Sequence, residues 1–185
     1  MPELRSYLKP DLPRDISIQI ASYVRTQWPQ FIGRQTKCDW TPYPDWCLHF
    51  VIVEGDVLIS HAIAASRKIE HGGQTYNVGG LSSVFCYPSH RGSGFGEQVV
   101  TAATDHLQGD PSVEFALLCC GQRVRTLYER TGWELVPAPR IYFGDRANPT
   151  LYNDGFVMGV FLTDKGRAFR PILEQEPVYV GANTW

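Results

Sequence analysis

The stretch from Val84 to Leu107 constrains the fold most, because it joins an apolar strand to an amphipathic helix through a glycine-rich turn. The turn consists of Arg91, Gly92, Ser93, Gly94, Phe95 and Gly96. Apolar residues then recur at four-residue spacing, which predicts the buried face of a helix: Phe95, Val99, Ala103 and Leu107. Because glycine has no Cβ, we expect the three glycines to let the backbone bend sharply and direct several N–H groups at one ligand.

The beginning of such a helix is suited to an anion. Its first N–H groups have no partner inside the helix, and the aligned peptide dipoles add partial positive charge there. Arg91 contributes a charged donor to the same turn. We therefore predict a phosphate-binding turn. The alternative is a plain glycine-rich turn between a strand and a helix.

Two common phosphate-binding patterns do not fit. A P-loop requires Gly-Lys-Ser or Gly-Lys-Thr where the helix begins, whereas this chain has Phe95, Gly96 and Glu97 there. A dinucleotide-binding turn lies in the first strand-helix unit and spaces its glycines unevenly. Here the glycines are evenly spaced, follow an arginine and lie halfway along the chain.

The turn instead resembles the acetyl-CoA loop of the GNAT acetyltransferases, in which an arginine is followed by two spacers, a glycine, one spacer, and a glycine or alanine. Arg91, Gly94 and Gly96 match this pattern, and Pro88 is also usual in that family. A second segment, residues 127–133, is similar to the one that closes the family's cofactor site, with a tyrosine, a polar pair, a variable residue, a glycine and an aromatic residue. The resemblance implies that acetyl-CoA is the co-substrate.

The resemblance assigns most cofactor contacts to the backbone. It implies that Val84 N–H binds the thioester carbonyl, that Cys86 binds the pantetheine arm and that residues 91–96 bind the diphosphate. The predicted cofactor-binding residues are Val84, Phe85, Cys86, Arg91, Gly92, Ser93, Gly94, Phe95 and Gly96. Tyr128 would protonate the departing thiolate, since a phenol with a pKa of about 10 is protonated at neutral pH. The alternative is that the Tyr128 ring packs in the core.

Over residues 38–162 the chain resembles in particular the aminoglycoside 2'-N-acetyltransferases. Asp39-Trp40 and Asp154-Gly155 correspond to an Asp-Trp and an Asp-Gly pair in that family, and this sequence likewise ends in Trp185. Carboxylates at these places would suit a polycationic sugar. The predicted acceptor-binding residues are therefore Asp39, Trp40, Asp154 and Trp185. The alternative is that both aspartates stabilise turns.

The proposed catalytic position Ser82 departs from that family, which carries a glutamate thought to take the amine proton through water. A serine hydroxyl has too high a pKa to act as a base alone. Alternative bases are His49, His61, Glu54 and solvent, although His61 is also interpretable as a half-exposed polar residue of a hairpin. Cys86 is disfavoured as a nucleophile because no base accompanies it in the sequence.

The composition is that of an ordinary globular protein, and the 185 residues fit a single domain over residues 1–185. A net charge of −2 provides no general attraction to nucleic acid or to an anionic membrane. No apolar run approaches the length of about 20 residues that a membrane helix needs, and no signal peptide is recognised. The five cysteines lack metal-ligand spacing, which predicts reduced thiols, no metal site and a cytoplasmic location.

The order of elements predicts an α+β fold, in which a mixed central sheet is flanked by helices as in GNAT enzymes. A first helix is expected between Pro13 and Pro29. Strands are expected at residues 48–53, 57–65, 74–87, 113–120, 133–136 and 156–162, with a short helix at 123–130. Residues after Thr163 have little periodicity, although Val178–Val180 are expected to pack against the domain.

Three functions fit these patterns. The first is an acetyl-CoA-dependent N-acetyltransferase that acts by direct transfer on a primary amine of a small molecule, with an aminoglycoside or aminosugar as the candidate acceptor. The second is a GNAT enzyme that acts on a protein or peptide amine. The third, suggested by Ser82, is a non-catalytic module that binds or senses acyl-CoA. Dimers are common in families of this kind, so a homodimer is one expected state, although no feature of the sequence demonstrates it.

Overall fold

The computed structural model describes residues 1–29, 46–182 and 185. In these ranges the chain forms four α-helices: α1 Arg14–Gln27, α2 Phe95–Gly109, α3 Arg125–Arg130 and α4 Asp164–Gln175. It also forms ten β-strands: β1 Glu3–Leu8, β2 Leu48–Glu54, β3 Val57–His71, β4 Gln74–Cys86, β5 Phe115–Cys120, β6 Glu134–Val136, β7 Arg140–Phe143, β8 Thr150–Leu151, β9 Phe156–Phe161 and β10 Pro177–Tyr179. Within those ranges, no helix is both long enough and apolar enough to cross a membrane.

Residue contacts group the chain into two compact units. The first contains residues 1–63 and 83–99, and the second contains residues 64–82 and 100–185. Strands β3 and β4 and helix α2 each run from one unit into the other. The assignment of one domain to residues 1–185 stays a prediction.

A seven-stranded mixed sheet has the strand order β1-β2-β3-β4-β5-β9-β6. Strands β1 and β2 are antiparallel, β4 and β5 are parallel, and β9 lies antiparallel between β5 and β6. The pairing of β4 with β5 covers Val78–Gly80 and Phe115–Leu117, whereas β4 continues to Cys86. A smaller sheet has the order β10-β7-β8. The mixed sheet confirms the predicted α+β class.

The core of the first unit forms between α1 and the strands. The buried residues of α1 are those expected from its helical period: Ile16, Ile20, Tyr23 and Val24. They pack with Val51, Val53, Leu58 and Phe85. Strand β1 is not predicted by the sequence pattern, because nearly all of its side chains are exposed and it lacks an apolar alternation.

The core of the second unit includes α4, which the sequence pattern also does not predict. This helix begins where the Thr163 side chain accepts a hydrogen bond from Gly166 N–H, and it buries Phe169 and Leu173. Its remaining surface is polar and it contains Pro171, so few apolar residues mark the helix in the sequence. Val178 and Val180, which follow it, are buried, and this confirms the expected packing of that segment.

Candidate active site

The predicted anion-binding turn connects the end of β4 to α2. Gly92 has φ 83° and Gly94 has φ 81°, a left-handed conformation that side chains with a Cβ rarely adopt. Gly96 lies inside α2 without a positive φ, so two of the three glycines make the bend. The first hydrogen bond of the helix runs from Gln98 N–H to the Gly94 carbonyl at 3.0 Å. The N–H groups that precede it are at the positive end of α2.

Arg91 makes hydrogen bonds to two residues of the first unit. Its Nε donates to the Cys86 carbonyl at 3.1 Å, and one terminal nitrogen donates to the Tyr23 hydroxyl at 2.8 Å. The side chain thus ties the turn to the end of β4 and to α1, although the residue as a whole is exposed. Binding of a phosphate by Arg91 stays a prediction.

An aromatic cluster lies behind the turn, in the first unit. The Tyr23 ring stacks on Phe85 with 3.9 Å between centroids and 8° between planes. Tyr87 meets Tyr23 edge to face at 5.0 Å, and the Tyr87 hydroxyl donates to the Gln19 carbonyl at 2.8 Å. Nothing in the sequence pattern indicates that the Tyr23 hydroxyl faces Arg91.

Strand β4 is irregular just before the turn. Ser83 has φ 49°, which is uncommon for a residue other than glycine. Ser82, Ser83 and Val84 are all partly buried. The left-handed residue changes the direction of the peptide that follows it, which is the peptide carrying Val84 N–H. Catalytic roles for Ser82 and Val84 are not tested by this geometry and stay predictions, as do the cofactor contacts of Phe85 and Cys86.

His49 and His61 form a buried pair, and each is 0% exposed. His49 Nδ1 lies 3.0 Å from His61 Nε2, and His61 Nδ1 lies 2.8 Å from the Ser83 carbonyl. The interpretation of His61 as half-exposed is therefore wrong, because the imidazole is fully enclosed. Burial, with a smaller contribution from Lys9, lowers the pKa of His49 to about 4. Burial also lowers the pKa of His61 well below its usual value. Neither imidazole is suited to accept a proton near neutral pH.

Tyr128 lies in α3 of the second unit and is 6% exposed. Its backbone carbonyl accepts hydrogen bonds from the N–H groups of Thr131 and Trp133, each at 3.0 Å, and Gly132 has φ 89°. This arrangement ends the helix as a glycine C-cap. Burial, and secondarily Cys120, raises the pKa of the Tyr128 phenol above its ordinary value, so it is protonated at neutral pH. Its role as an acid stays a prediction.

The thiols are poorly suited to covalent catalysis. Burial raises the pKa of Cys119 to about 12 and that of Cys120 to about 11. It also raises the pKa of Cys86. The cysteines in the described ranges are not in disulfides: Cys47, Cys86, Cys119 and Cys120. Since the thiolate is the nucleophile, a high pKa disfavours an acyl-enzyme at these positions.

The predicted acceptor residues have different environments. Asp39 and Trp40 lie outside the described residues. Asp154 is exposed, and its carbonyl accepts a hydrogen bond from the Tyr152 hydroxyl at 2.8 Å. Trp185 is 9% exposed and belongs to the core of the second unit, where its ring occupies the place that a Cβ on Gly80 would take. Acceptor binding by these residues stays a prediction.

Across the part of the chain that the structure describes, no cluster of three or more His, Cys, Asp or Glu side chains could hold a metal ion.

Solved structures with a similar fold have low sequence identity to this chain, and some of them carry acyltransferase names. A probable N-acyltransferase from Enterococcus faecalis has a TM-score of 0.59 and 14% identity, and the match covers 78% of this chain but only 38% of that one. Escherichia coli ElaA has a TM-score of 0.57 and 14% identity, with 86% and 97% covered. Glucosamine-6-phosphate N-acetyltransferase from Arabidopsis thaliana has a TM-score of 0.52 and 15% identity, with 71% and 90% covered. None of the curated proteins matches the chain.

A domain family described as "Acetyltransferase (GNAT) domain" matches residues 3–136. This range runs from β1 to β6 and includes both the glycine turn and the Tyr128 segment. The similar solved structures confirm the predicted GNAT fold. The enzymes of this family are acyltransferases that use an acyl-CoA donor and an amine acceptor. The chain therefore belongs to the GNAT family of acetyltransferases.

Proposed function

We propose that the protein is an acetyl-CoA-dependent N-acetyltransferase that acetylates a primary amine of a small molecule by direct transfer. The observation that carries this proposal is the turn at the start of α2, where Gly92 and Gly94 are left-handed in a chain of the GNAT family. That geometry gathers backbone N–H groups at the positive end of a helix, which is suited to the diphosphate of coenzyme A. A cytoplasmic location is part of the proposal.

The transfer step forms a C–N bond and breaks a C–S bond. A neutral amine attacks the thioester carbonyl, Val84 N–H donates to the developing oxyanion, and Tyr128 protonates the sulfur of CoA as it leaves. Tyr128 regains one proton from solvent, and the amine nitrogen releases one proton to solvent. Ser82 is too weak a base for that proton, and burial lowers the pKa of His49 and His61. We therefore propose that the acceptor enters as the free amine and that water takes the proton released after attack.

We propose an aminosugar or aminoglycoside as the acceptor. Support comes from the exposed Asp154 and from the sequence pair Asp39-Trp40, since carboxylates bind ammonium groups. The fold similarity to a glucosamine-6-phosphate N-acetyltransferase is consistent with this class but does not identify the acceptor. Asp154→Asn tests the role of this carboxylate, because the substitution removes the charge and keeps the shape of the side chain.

The test is an acceptor panel in which thiol release from acetyl-CoA is followed together with the mass of the amine product. The panel contains an aminoglycoside, glucosamine 6-phosphate, a polyamine and a short peptide with a free N-terminus. We expect amine-dependent thiol release with an aminosugar or aminoglycoside. Turnover with the peptide alone would favour a protein acceptor. Tight binding of acetyl-CoA without turnover of any amine would favour the sensor function and contradict the proposal.

A further inference from the structure

The hydrogen bonds of the buried pair fix the proton positions on both imidazoles. The Ser83 carbonyl can only accept, so His61 Nδ1 must carry a proton. In a neutral ring His61 Nε2 is then an acceptor, and the nearby His49 Nδ1 must be the donor to it. This leaves His49 Nε2 as a bare acceptor. That atom is buried and has no hydrogen-bond partner among the residues that the structure describes.

The pair acts on one peptide group of β4. The Ser83 carbonyl that His61 binds and Val84 N–H belong to the same planar unit, in which the C=O and N–H bonds point in opposite directions. A hydrogen bond that fixes the direction of the carbonyl therefore fixes the direction of Val84 N–H as well. The left-handed φ of 49° at Ser83 is a conformation that needs support from its surroundings.

Stability alone does not account for this arrangement. Burying a polar atom without a partner is unfavourable, and His49 Nε2 is such an atom. An apolar residue at position 49 would avoid that cost but would leave His61 Nε2 without its donor. The His49 imidazole thus keeps His61 in the form that donates to Ser83.

We propose that His61 and His49 are positioning residues, which hold the Ser83–Val84 peptide so that Val84 N–H points at the acyl carbonyl of acetyl-CoA. His61 acts directly on the peptide, and His49 acts through His61 by setting its tautomer. Neither residue exchanges a proton with the substrate. The inference rests on the proposed function, because it concerns the donor that the transfer step needs.

The test compares substitutions of His61 with a matched control on the same strand. His61→Leu removes the donor to Ser83, whereas His61→Asn keeps an N–H group near the place of Nδ1. Ser60→Ala is the control, because Ser60 Oγ makes the same kind of buried bond, to the Phe85 carbonyl at 2.8 Å. We expect His61→Leu to lower kcat by about a hundredfold with little change in KM for acetyl-CoA. His61→Asn should recover part of the loss. Ser60→Ala should retain kcat, because Ser60 acts on the Phe85–Cys86 peptide, which is assigned to the pantetheine arm and not to the acyl carbonyl.

Two nuclear magnetic resonance measurements test the inference without turnover. In the wild-type protein, nitrogen shifts should show both imidazoles with the proton on Nδ1. The Val84 amide signal should change more with acetyl-CoA than with CoA, since only the former carries the acyl carbonyl. That difference should vanish in His61→Leu and persist in Ser60→Ala.

The inference is overturned by protons on Nε2 of both rings, by the absence of an acetyl-dependent change at Val84 in the wild type, or by an unaltered change in His61→Leu. A wild-type protein that shows the Val84 change but acetylates no amine would contradict the proposed function and leave this inference standing. The outcomes of the two proposals are therefore distinguishable.

Discussion

Arg91 makes hydrogen bonds that the sequence pattern does not suggest. The motif predicts that Arg91 donates hydrogen bonds to a phosphate, yet its guanidinium donates to the Cys86 carbonyl and to the Tyr23 hydroxyl. Cys86 is close to Arg91 in the sequence, whereas Tyr23 is 68 residues away. The contact with Tyr23 therefore depends on the packing of α1 on β4. Motifs predicted the cofactor turn and the Tyr128 segment because both depend on local chain geometry. They did not predict the buried pair of His49 and His61 or its bond to Ser83, because these three residues come from three different strands.

Arg91→Glu should weaken the binding of CoA by about tenfold or more, because it places a negative charge at an anion-binding turn. Tyr23→Phe is the control, since it removes one hydrogen bond of Arg91 but keeps its charge and the aromatic stack. Calorimetric titration with CoA measures both affinities. Equal affinity of Arg91→Glu and the wild-type protein would contradict a phosphate at this turn.

Tyr128→Phe should lower kcat by about a hundredfold, because the departing thiolate then lacks its acid. The affinity for CoA should change little, as the substitution removes only the hydroxyl. Tyr179→Phe is the control, because the Tyr179 hydroxyl donates to the Gly144 carbonyl in the smaller sheet. Thiol-release kinetics give kcat for each variant, and an undiminished rate in Tyr128→Phe would remove this residue from the mechanism.

Acid should destabilise the protein through the buried histidines. The pKa of His49 is lowered from 6.5 to about 4, so between these values the unfolded chain binds a proton that the folded chain does not. The free energy of unfolding therefore falls as the pH decreases from about 6.5 to about 4, by on the order of 2 kcal/mol at about pH 5 from His49 alone. His61 contributes in the same direction.

Urea unfolding at several pH values measures this dependence. His49→Leu should have a shallower loss of stability with acid, because one depressed group is gone. His106→Gln, which changes an exposed histidine on α2, should keep the wild-type slope. A wild-type protein as stable at about pH 5 as at about pH 7.5 would contradict neutral buried imidazoles.

At the scale of elements, the sequence predicted those segments that carry an apolar period. The strands β2 and β4 and the helices α1 and α2 are present near the expected bounds, whereas β3 begins as expected and continues to His71, six residues beyond the predicted end. Strand β1 and helix α4 were not predicted, because each has few buried apolar residues. The first is nearly all exposed and is held by its pairing with β2, whereas the second buries only a few residues of a polar segment.

Gly94→Ala should distort the turn, because φ 81° is strained for a residue with a Cβ even though no atom lies within 4 Å of the place it would occupy. We expect a loss of about 1 kcal/mol in the free energy of unfolding. The affinity for CoA should also fall. Gly96→Ala is the control for stability, since residue 96 lies within α2. Urea unfolding measures the stability of the two variants, and titration with CoA measures their affinities. Equal stability and equal affinity of the two variants would show that the left-handed turn is not required.

At the scale of the whole molecule, the family match divides the functional assignments. Residues 3–136 contain the glycine turn, the end of β4 and Tyr128, so the cofactor roles rest on a family that uses acyl-CoA. Asp154 and Trp185 lie beyond that match, and Asp39 lies outside the described residues. The side chain of Trp185 is packed on Gly80 in the second unit. The family match therefore does not indicate which amine is the acceptor. The acceptor panel tests that part of the proposal.

The central claim is that the turn from Arg91 to Gly96 binds the diphosphate of coenzyme A. A crystal structure of the protein with CoA tests it most directly. We predict diphosphate oxygens within hydrogen-bond distance of the backbone N–H groups in this turn. A structure with CoA bound at full occupancy and its diphosphate away from the turn would contradict the account.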